Sequence, residues 1–228
     1  MRKSNQAVIQ STYSLKQYAE IIKIMIDFHS LHTGRWLAQQ TGVPHYNLKK
    51  TMVCDIISKA EEGSFAINNR FFQYIINYKS TLIHLYADII SEVSKNYNCN
   101  VKGRVKNEDS ILNKLQKKQT EQNGKFSINK VLNDLIGFRI IDTDYEQNVK
   151  KLILYLDELK QKEGYRITHK ERINGEYRGY HIYFMGKDSK FFPLELQLWD
   201  STKEKTNLIS HELYKKDYTN WPEIYYNG

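Results

Sequence analysis

The stretch Phe192-Pro193-Leu194-Glu195-Leu196-Gln197-Leu198-Trp199 decides how this chain is read. Beyond the proline it alternates strictly. Successive side chains of a strand point to opposite faces, so Leu194, Leu196 and Leu198 form an apolar face and Glu195, Gln197 and Trp199 the other. Upstream, Tyr180-His181-Ile182-Tyr183-Phe184 alternates in the same way, with Tyr180, Ile182 and Phe184 on one side and His181 and Tyr183 on the other. Between the two runs lies Gly186-Lys187-Asp188-Ser189, built from turn formers. A hairpin is predicted, and Glu195, Gln197, His181 and Tyr183 are expected to stand exposed together on it. Alone, such a face is ordinary half-solvated sheet surface. The rest of the chain gives it chemistry.

Outward from the hairpin, strands and helices alternate. Asp200–Lys216 reads as a helix with Leu208, Leu213 and Tyr214 apolar. On the other side, Lys170–Arg178 reads as a polar, basic loop and Tyr165–His169 as a strand. Gly164 closes a helix whose buried face is Val149, Leu152, Ile153, Leu156 and Leu159, and Thr143-Asp144-Tyr145-Glu146 fits a capping box at its start. Ile136–Ile141 is a strand rich in β-branched residues. Val101–Lys106 reads as strand, and a helix follows near Ser110–Lys118.

The first hundred residues carry helical spacing. Leu15, Tyr18, Ile21, Ile22, Met25, Ile26, Phe28 and Leu31 predict a helix over 14–40, broken by Thr41-Gly42-Val43-Pro44. Leu48, Met52 and Ile56, four apart, predict a second helix from Tyr46 to Lys59. Phe72, Ile75, Ile76, Leu82, Ile83, Tyr86, Ile89, Ile90 and Val93 predict a long helix from Phe71 to Tyr97 with one core-facing stripe. Trp36–Val43 faintly resembles a helix-turn-helix, a spacing common by chance that two packed helices also explain. The order of three helices followed by β-α-β-α-β-β-β-α predicts an α+β fold: a mixed β-sheet backed by helices, with an N-terminal helical extension. The expected division is an N-terminal helical region over 1–98 and the sheet-bearing domain over 99–228.

Composition narrows the class. With 228 residues the chain is long enough for one good core. No apolar run approaches a membrane span, and no apolar signal core follows Met1–Gln6, so a cytoplasmic protein is expected. Cys54 and Cys99 lack metal-ligand spacing and fit reduced thiols. A formal charge of +8 favours anionic partners: nucleotides, nucleic acid or an anionic membrane.

Four polar elements converge on the predicted sheet: Arg104 with Lys106, Asp134 with Arg139, Tyr177-Arg178-Gly179-Tyr180-His181, and Glu195 with Gln197. Two carboxylates among cations suit phosphoryl chemistry. One can hold magnesium, which favours oxygen ligands and bridges phosphates, and the other can accept a hydroxyl proton. The cations neutralise phosphate oxygens, while arginine planes and a tyrosine ring can stack on bases. No phosphate-cradling G-x-x-x-x-G-K-S/T loop is present, nor a G-x-G-x-x-G set. His211-Glu212 lacks the second histidine of a zinc protease.

In this order the motifs resemble the synthetase domains of the RelA/SpoT family. Arg104-Val105-Lys106 with Ser110 and Lys114 is similar to their R-x-K…S…K opening, and Asp134-Leu135-Ile136-Gly137-Phe138-Arg139 to their D-x-x-G-x-R. Tyr177-Arg178-Gly179-Tyr180-His181 resembles their Y-R-S-x-H, Glu195-Leu196-Gln197 their E-I-Q, and His211 with Tyr214-Lys215 their closing H-x-x-Y-K. The five span residues 101–216. No histidine–aspartate pair of the hydrolase half is evident in the first hundred residues.

The resemblance implies that ATP donates its β,γ-pyrophosphate to a ribose 3′-hydroxyl, with Mg2+. It implies that Arg104 and Arg139 sandwich the donor adenine, and that Lys106 and Lys114, with Ser110, hold ATP. By the same resemblance Asp134 holds magnesium, and Glu195 orients or deprotonates the attacking hydroxyl and shares the metal. Gln197 supports this catalytic pair, and Tyr177, Arg178 and His181 meet the acceptor, Tyr177 by stacking.

Two acceptors fit. Ordinary small alarmone synthetases use GDP or GTP and make (p)ppGpp. Toxic relatives from toxin–antitoxin modules use the 3′-terminal adenosine of tRNA, stop translation, and are neutralised by an antitoxin, here expected to be a protein. The chain departs from the alarmone pattern at Gly179-Tyr180, where a serine and an aliphatic residue are usual, and at Leu198-Trp199-Asp200, where I-R-T is usual. Loss of that arginine, and the basic surplus, favour the tRNA-modifying reading. A non-catalytic nucleic-acid-binding module is the third possibility, disfavoured by retention of Asp134 and Glu195.

Overall fold

The computed structural model describes residues 13–42, 44–60, 63–97, 101–216 and 224–227. Their elements run α1 (Leu15–Gln39), β1 (Ile57–Lys59), β2 (Phe65–Asn68), α2 (Asn69–Asn96), β3 (Val101–Val105), α3 (Glu108–Thr120), α4 (Ile128–Val131), β4 (Ile136–Asp142), α5 (Tyr145–Lys162), β5 (Ile167–Asn174), β6 (Tyr177–Phe184), β7 (Leu194–Asp200), α6 (Glu204–Lys216) and β8 (Ile224–Asn227). The fold is α+β with a mixed sheet backed by helices, as the patterning predicts. Among the described residues no helix is long and apolar enough to cross a membrane.

The central sheet has the order β3-β4-β7-β6-β5. Only the β4–β7 pair is parallel; the other neighbours run antiparallel. In β4, Ile136, Phe138, Ile140 and Asp142 point to the helices, and in β7 Leu194, Leu196 and Leu198 do the same, all of them buried. The opposite face collects Gly137 beside Glu195, Arg139 beside Gln197, and Ile141 beside Trp199. His181 pairs with Gln197 and Tyr183 with Glu195 on that same face. A smaller sheet, β1-β2-β8, lies apart from these five strands in the hydrogen-bonding scheme.

One buried apolar cluster runs from Tyr13 through both long helices to Leu198. Helix α1 is opened by Ser14, whose hydroxyl accepts from Gln17 N while Gln17 Oε1 accepts from Ser14 N, a reciprocal cap. It is tied to the sheet through buried polar contacts. Tyr18 donates to Asp142 Oδ2 at 2.7 Å, and Asn148 Nδ2 donates to the same oxygen at 2.7 Å and to Tyr13 O at 2.9 Å. His29 Nε2 donates to the Phe192 carbonyl at 2.8 Å, just ahead of β7.

Five expectations are corrected. The helix from Tyr46 to Lys59 does not form. Asn47 Oδ1 accepts from Lys49 N and Lys50 N to make a turn, Asp55 Oδ2 takes Met52 N, and Ile57–Lys59 pairs with β2. Leu48 and Ile56 are buried through tertiary contacts, with Leu48 N bonded to Ser189 O at 2.8 Å. The helix-turn-helix reading falls with it, and Trp36 packs on Tyr74 and Tyr78. The α2 stripe is also shifted: Ile83 is 56% exposed, while Tyr74, Tyr78 and Leu85 are buried. The polar segment 170–178 is not a loop but the far half of the β5–β6 hairpin, closed by Gly175 and Glu176 with Gly175 at φ +56°. Finally, α5 begins at Tyr145 after Asp144, whose side chain makes no cap bond, and Glu146 pairs with Arg178.

Candidate active site

Two polar clusters lie along one face of the central sheet. The first is built where β3, α3 and the start of β4 meet. Lys106 follows β3 directly and its backbone N–H bonds Leu135 O at 2.8 Å, which fixes it beside Asp134. Asn107 caps α3 by accepting from Ser110 N at 3.0 Å, so Ser110 and Lys114 fall one turn apart on the same helix face. Lys106 Nζ then donates to Asp134 Oδ2 at 2.8 Å and Lys114 Nζ to Asp134 Oδ1 at 3.0 Å, with Asn133 Oδ1 also on Lys114 at 3.2 Å. Burial works to raise the Asp134 pKa, but the ammoniums of Lys114 and Lys106 outweigh it and hold the carboxyl below its usual range. Lys106 is itself lowered, by burial first and then by Lys114, against the pull of Asp134.

The second cluster is a closed circuit on β4, β6 and β7. Trp199 Nε1 donates to Tyr177 Oη at 3.2 Å, and Tyr177 lies 2.7 Å from His181 Nε2. His181 Nδ1 reaches Glu195 Oε1 at 2.8 Å, Gln197 Nε2 donates to Glu195 Oε2 at 2.8 Å, and Arg139 Nη2 donates to Gln197 Oε1 at 3.4 Å. The Arg139 guanidinium carbon sits 3.3 Å from the centroid of the Trp199 ring, which closes the loop. Neutral His181 with its proton on Nδ1 satisfies every step: indole to phenol, phenol to imidazole, imidazole to carboxylate. Tyr183 adds a hydroxyl near His181 Nδ1, at 3.4 Å.

Glu195, Gln197 and His181 do share a face, but they are buried at 4%, 6% and 3% exposure, not exposed as the hairpin pattern suggested. Tyr183, expected to stand exposed with them, is buried as well. Burial raises the Glu195 pKa most; the hydrogen bonds from His181 and Gln197 reverse the balance, and the net shift is downward. Arg139 is pushed down to about 10, by burial first and with Arg104 adding like charge, so it stays cationic at neutral pH. Its Nε is buried without a hydrogen-bond partner.

Beside the second cluster opens a small cleft lined by Lys102, Gly103 and Arg104 of β3, Gly137, Phe138 and Arg139 of β4, and Glu195 and Gln197 of β7. Arg104 and Arg139 therefore face one space from adjacent strands. Ser110 lies a turn before Lys114, and the hydrogen bond it makes there is its backbone N–H to Asn107. Arg178 is a correction. Alternation along β6 puts Tyr177, Gly179 and His181 on one face and Arg178 on the other, where it binds Glu171 at 2.7 Å and Glu146 at 2.9 Å. It is not aimed at the acceptor side. The side chains of His211, Tyr214 and Lys215 lie outside the described residues.

Four further residues stand on this face that the candidate-site residues do not include. Lys102 lies on the cleft face because β3 alternates, which was readable. Lys170 and Arg172, taken as loop, stand on the active face opposite His181 and Gly179, and Arg172 lies 5.6 Å over the Tyr183 ring. Trp199 was noted for what it replaces and not for what it holds.

A sheet face that sets the buried Glu195 and the half-buried Asp134 among lysines and a facing arginine pair defines a nucleotide-handling phosphotransferase class. The chain is a member of the RelA/SpoT family: residues 103–219, just over half of it, match the region found in RelA / SpoT proteins. It is thus an ATP-dependent pyrophosphokinase of RelA/SpoT type. Among solved structures it is similar to the small alarmone synthetase 1 from Bacillus subtilis, at 19% identity and a TM-score of 0.42 over 68% of this chain and 84% of that one. It is also similar to the same enzyme bound to AMPCPP, at 17% identity and a TM-score of 0.38 over 68% and 83%. No curated protein matches it.

Proposed function

We propose that this enzyme transfers the β,γ-pyrophosphate of ATP to the 3′-hydroxyl of the terminal adenosine of tRNA, as the toxin of a toxin–antitoxin pair. Residues 99–228 carry the reaction in this reading, and 1–98 brace it. The observation that carries the acceptor choice is Trp199. The position where alarmone enzymes have arginine holds a fully buried indole turned onto Arg139 and Tyr177, so it offers no cation to a guanosine phosphate. Lys170 and Arg172 add positive charge along the same face, toward the β5 edge, where a polynucleotide backbone can run.

In the proposed reaction Arg104 and Arg139 clamp the adenine of ATP. Lys106 and Lys114 leave Asp134 for the phosphates. The acceptor 3′-oxygen attacks the β-phosphorus, the bond from that phosphorus to the α-phosphate oxygen breaks, and AMP leaves. Glu195 receives or orients the hydroxyl proton. Each of its oxygens already accepts a donor but keeps a second lone pair for the hydroxyl. His181, Tyr177 and Gln197 hold that carboxylate still.

Magnesium fits as a companion of the nucleotide. Among the described residues no group of three or more histidine, cysteine or acidic side chains gathers as a metal site. Asp134, with Glu195 on the same face, offers the one or two carboxylates that suffice when phosphates complete the shell. The ion, when bound, would neutralise developing charge on the phosphate oxygens.

The test supplies ATP labelled on the γ-phosphate with magnesium, and offers deacylated tRNA, GDP and GTP separately. Label in tRNA alone is the expected result. Label in guanosine nucleotides alone would make the enzyme an alarmone synthetase and sink the tRNA reading.

A further inference from the structure

Trp199 has no exposed surface, yet it lies on the charged face of the sheet, beside Ile141 of β4 and one position past the Tyr180–Leu198 pair of β6, which sets it opposite Gly179. The space for it is made by that glycine. A Cβ at position 179 would meet Trp199 Cδ1 at 2.9 Å, Trp199 Nε1 at 3.0 Å and Tyr177 Oη at 2.9 Å, closer than side-chain carbons approach. The indole therefore occupies the space that a side chain at position 179 would take.

We infer that Trp199 is a positioning residue for the pyrophosphate transfer: its indole is the back wall of the donor-purine site, fixing the plane of Arg139, while its Nε1–H ties that wall to Tyr177 on the acceptor side. This rests on the reading of Arg104 and Arg139 as the donor-base clamp. One face of the Arg139 guanidinium is covered by the indole, and Gln197 Oε1 restrains its rotation. The cleft shared with Arg104 lies in front of it. A purine entering there becomes one layer of a stack of Arg104, purine, Arg139 and Trp199. An arginine already seated on an aromatic ring loses its rotamer freedom on folding and not on binding, and a desolvated cation–π contact is stronger than an exposed one. The same indole ends the hydrogen-bond path through Tyr177 and His181 to Glu195. Donor grip and carboxylate alignment thus share one side chain, with separate atoms for each.

That separation supplies the test. AMPCPP binding to the full chain with magnesium is measured by calorimetry, alongside pyrophosphate transfer from ATP. Trp199→Leu removes the ring and is expected to weaken AMPCPP about tenfold, in line with a buried cation–π contact. Trp199→Phe keeps a ring under Arg139 but has no N–H; AMPCPP affinity should stay within about threefold of native while turnover falls at unchanged ATP KM. Gly179→Ser should weaken AMPCPP by crowding the indole, and Gly179→Ser with Trp199→Arg should recover thermal stability lost in the serine variant. Should the leucine variant fail to fold, Trp199→Met carries the same expectation. Native AMPCPP affinity in Trp199→Leu or Trp199→Met would overturn the inference. Arg104→Ala and Arg139→Ala distinguish the failures: if both bind AMPCPP as native does, the donor-clamp reading itself is wrong; if both lose it while Trp199→Leu does not, only the role of Trp199 is.

Discussion

Glu195 shows how burial and chemistry meet in one side chain. A carboxylate at 4% exposure is expensive unless hydrogen-bonded, and His181 and Gln197 donate one bond to each oxygen. Glu195→Gln keeps size and removes the charge. It is expected to lower transfer by about 10²- to 10⁴-fold while AMPCPP binding, read by calorimetry, stays near native; equal loss of both would assign Glu195 to binding instead. Asp134 is set differently, between two ammoniums. Its folded pKa lies below the unfolded value, so the stability it contributes is present above the ordinary carboxylate range and is lost as pH falls through the folded value. Asp134→Asn should therefore narrow the difference in urea midpoint between pH 5 and pH 2.5 relative to the native chain. An unchanged difference would mean that the lysine pair releases Asp134 at no cost.

Among the elements, α1 is attached through buried polar contacts as well as apolar ones. Tyr18, at no exposed surface, spends its hydroxyl on Asp142, which also takes Asn148 and Asp144 N. Tyr18→Phe removes one donor from a buried carboxylate and should destabilise by about 1.5–3 kcal/mol, read as a drop in thermal midpoint. His29 makes the other tie, and burial lowers its pKa to about 4. Because the unfolded chain takes up the proton first, the stability that goes with a neutral buried His29 is full above the ordinary histidine value near 6.5 and declines as pH falls from there toward 4, by up to about 3 kcal/mol. His29→Gln should lose less urea resistance than the native chain between pH 7 and 4.5. These ties were invisible in the sequence, since they join residues 124 and 163 positions apart. What was legible followed strict period: β7, β4 and the buried face of α5 all show it. The helical spacing of Leu48, Met52 and Ile56 deceived because their partners are remote, Ser189 and Ser127 among them. The hairpin at 170–178 was hidden because both its faces are polar. The face of Arg178, by contrast, is readable, since alternation from Tyr177 already sends it opposite to His181.

At the scale of the whole molecule the question is what a surplus of eight positive charges does. Exposed charges act over about 8 Å at physiological salt, so only cations near the cleft can grip an acceptor. Lys102 and Arg104 stand at one end of the active face, Lys170 and Arg172 at the other, with the buried carboxylate circuit between them. The cleft is lined from β3, β4 and β7, and no residue of β5 lines it. In the proposed reaction, with the donor at the cationic β3 end, a tRNA acceptor end whose 3′-hydroxyl sits at Glu195 runs its single-stranded phosphates over the other cationic strand, β5. Lys170→Ala with Arg172→Ala should therefore weaken deacylated tRNA binding and flatten its dependence on salt, each lost phosphate contact reducing the log–log slope by about 0.7. The same pair should leave AMPCPP affinity alone, because neither residue lines the donor cleft. Filter binding of tRNA from 50 to 300 mM salt reads the slope. A slope unchanged in the double variant would move the RNA path to another edge of the sheet, and no tRNA binding by the native chain would return the acceptor to a free nucleotide.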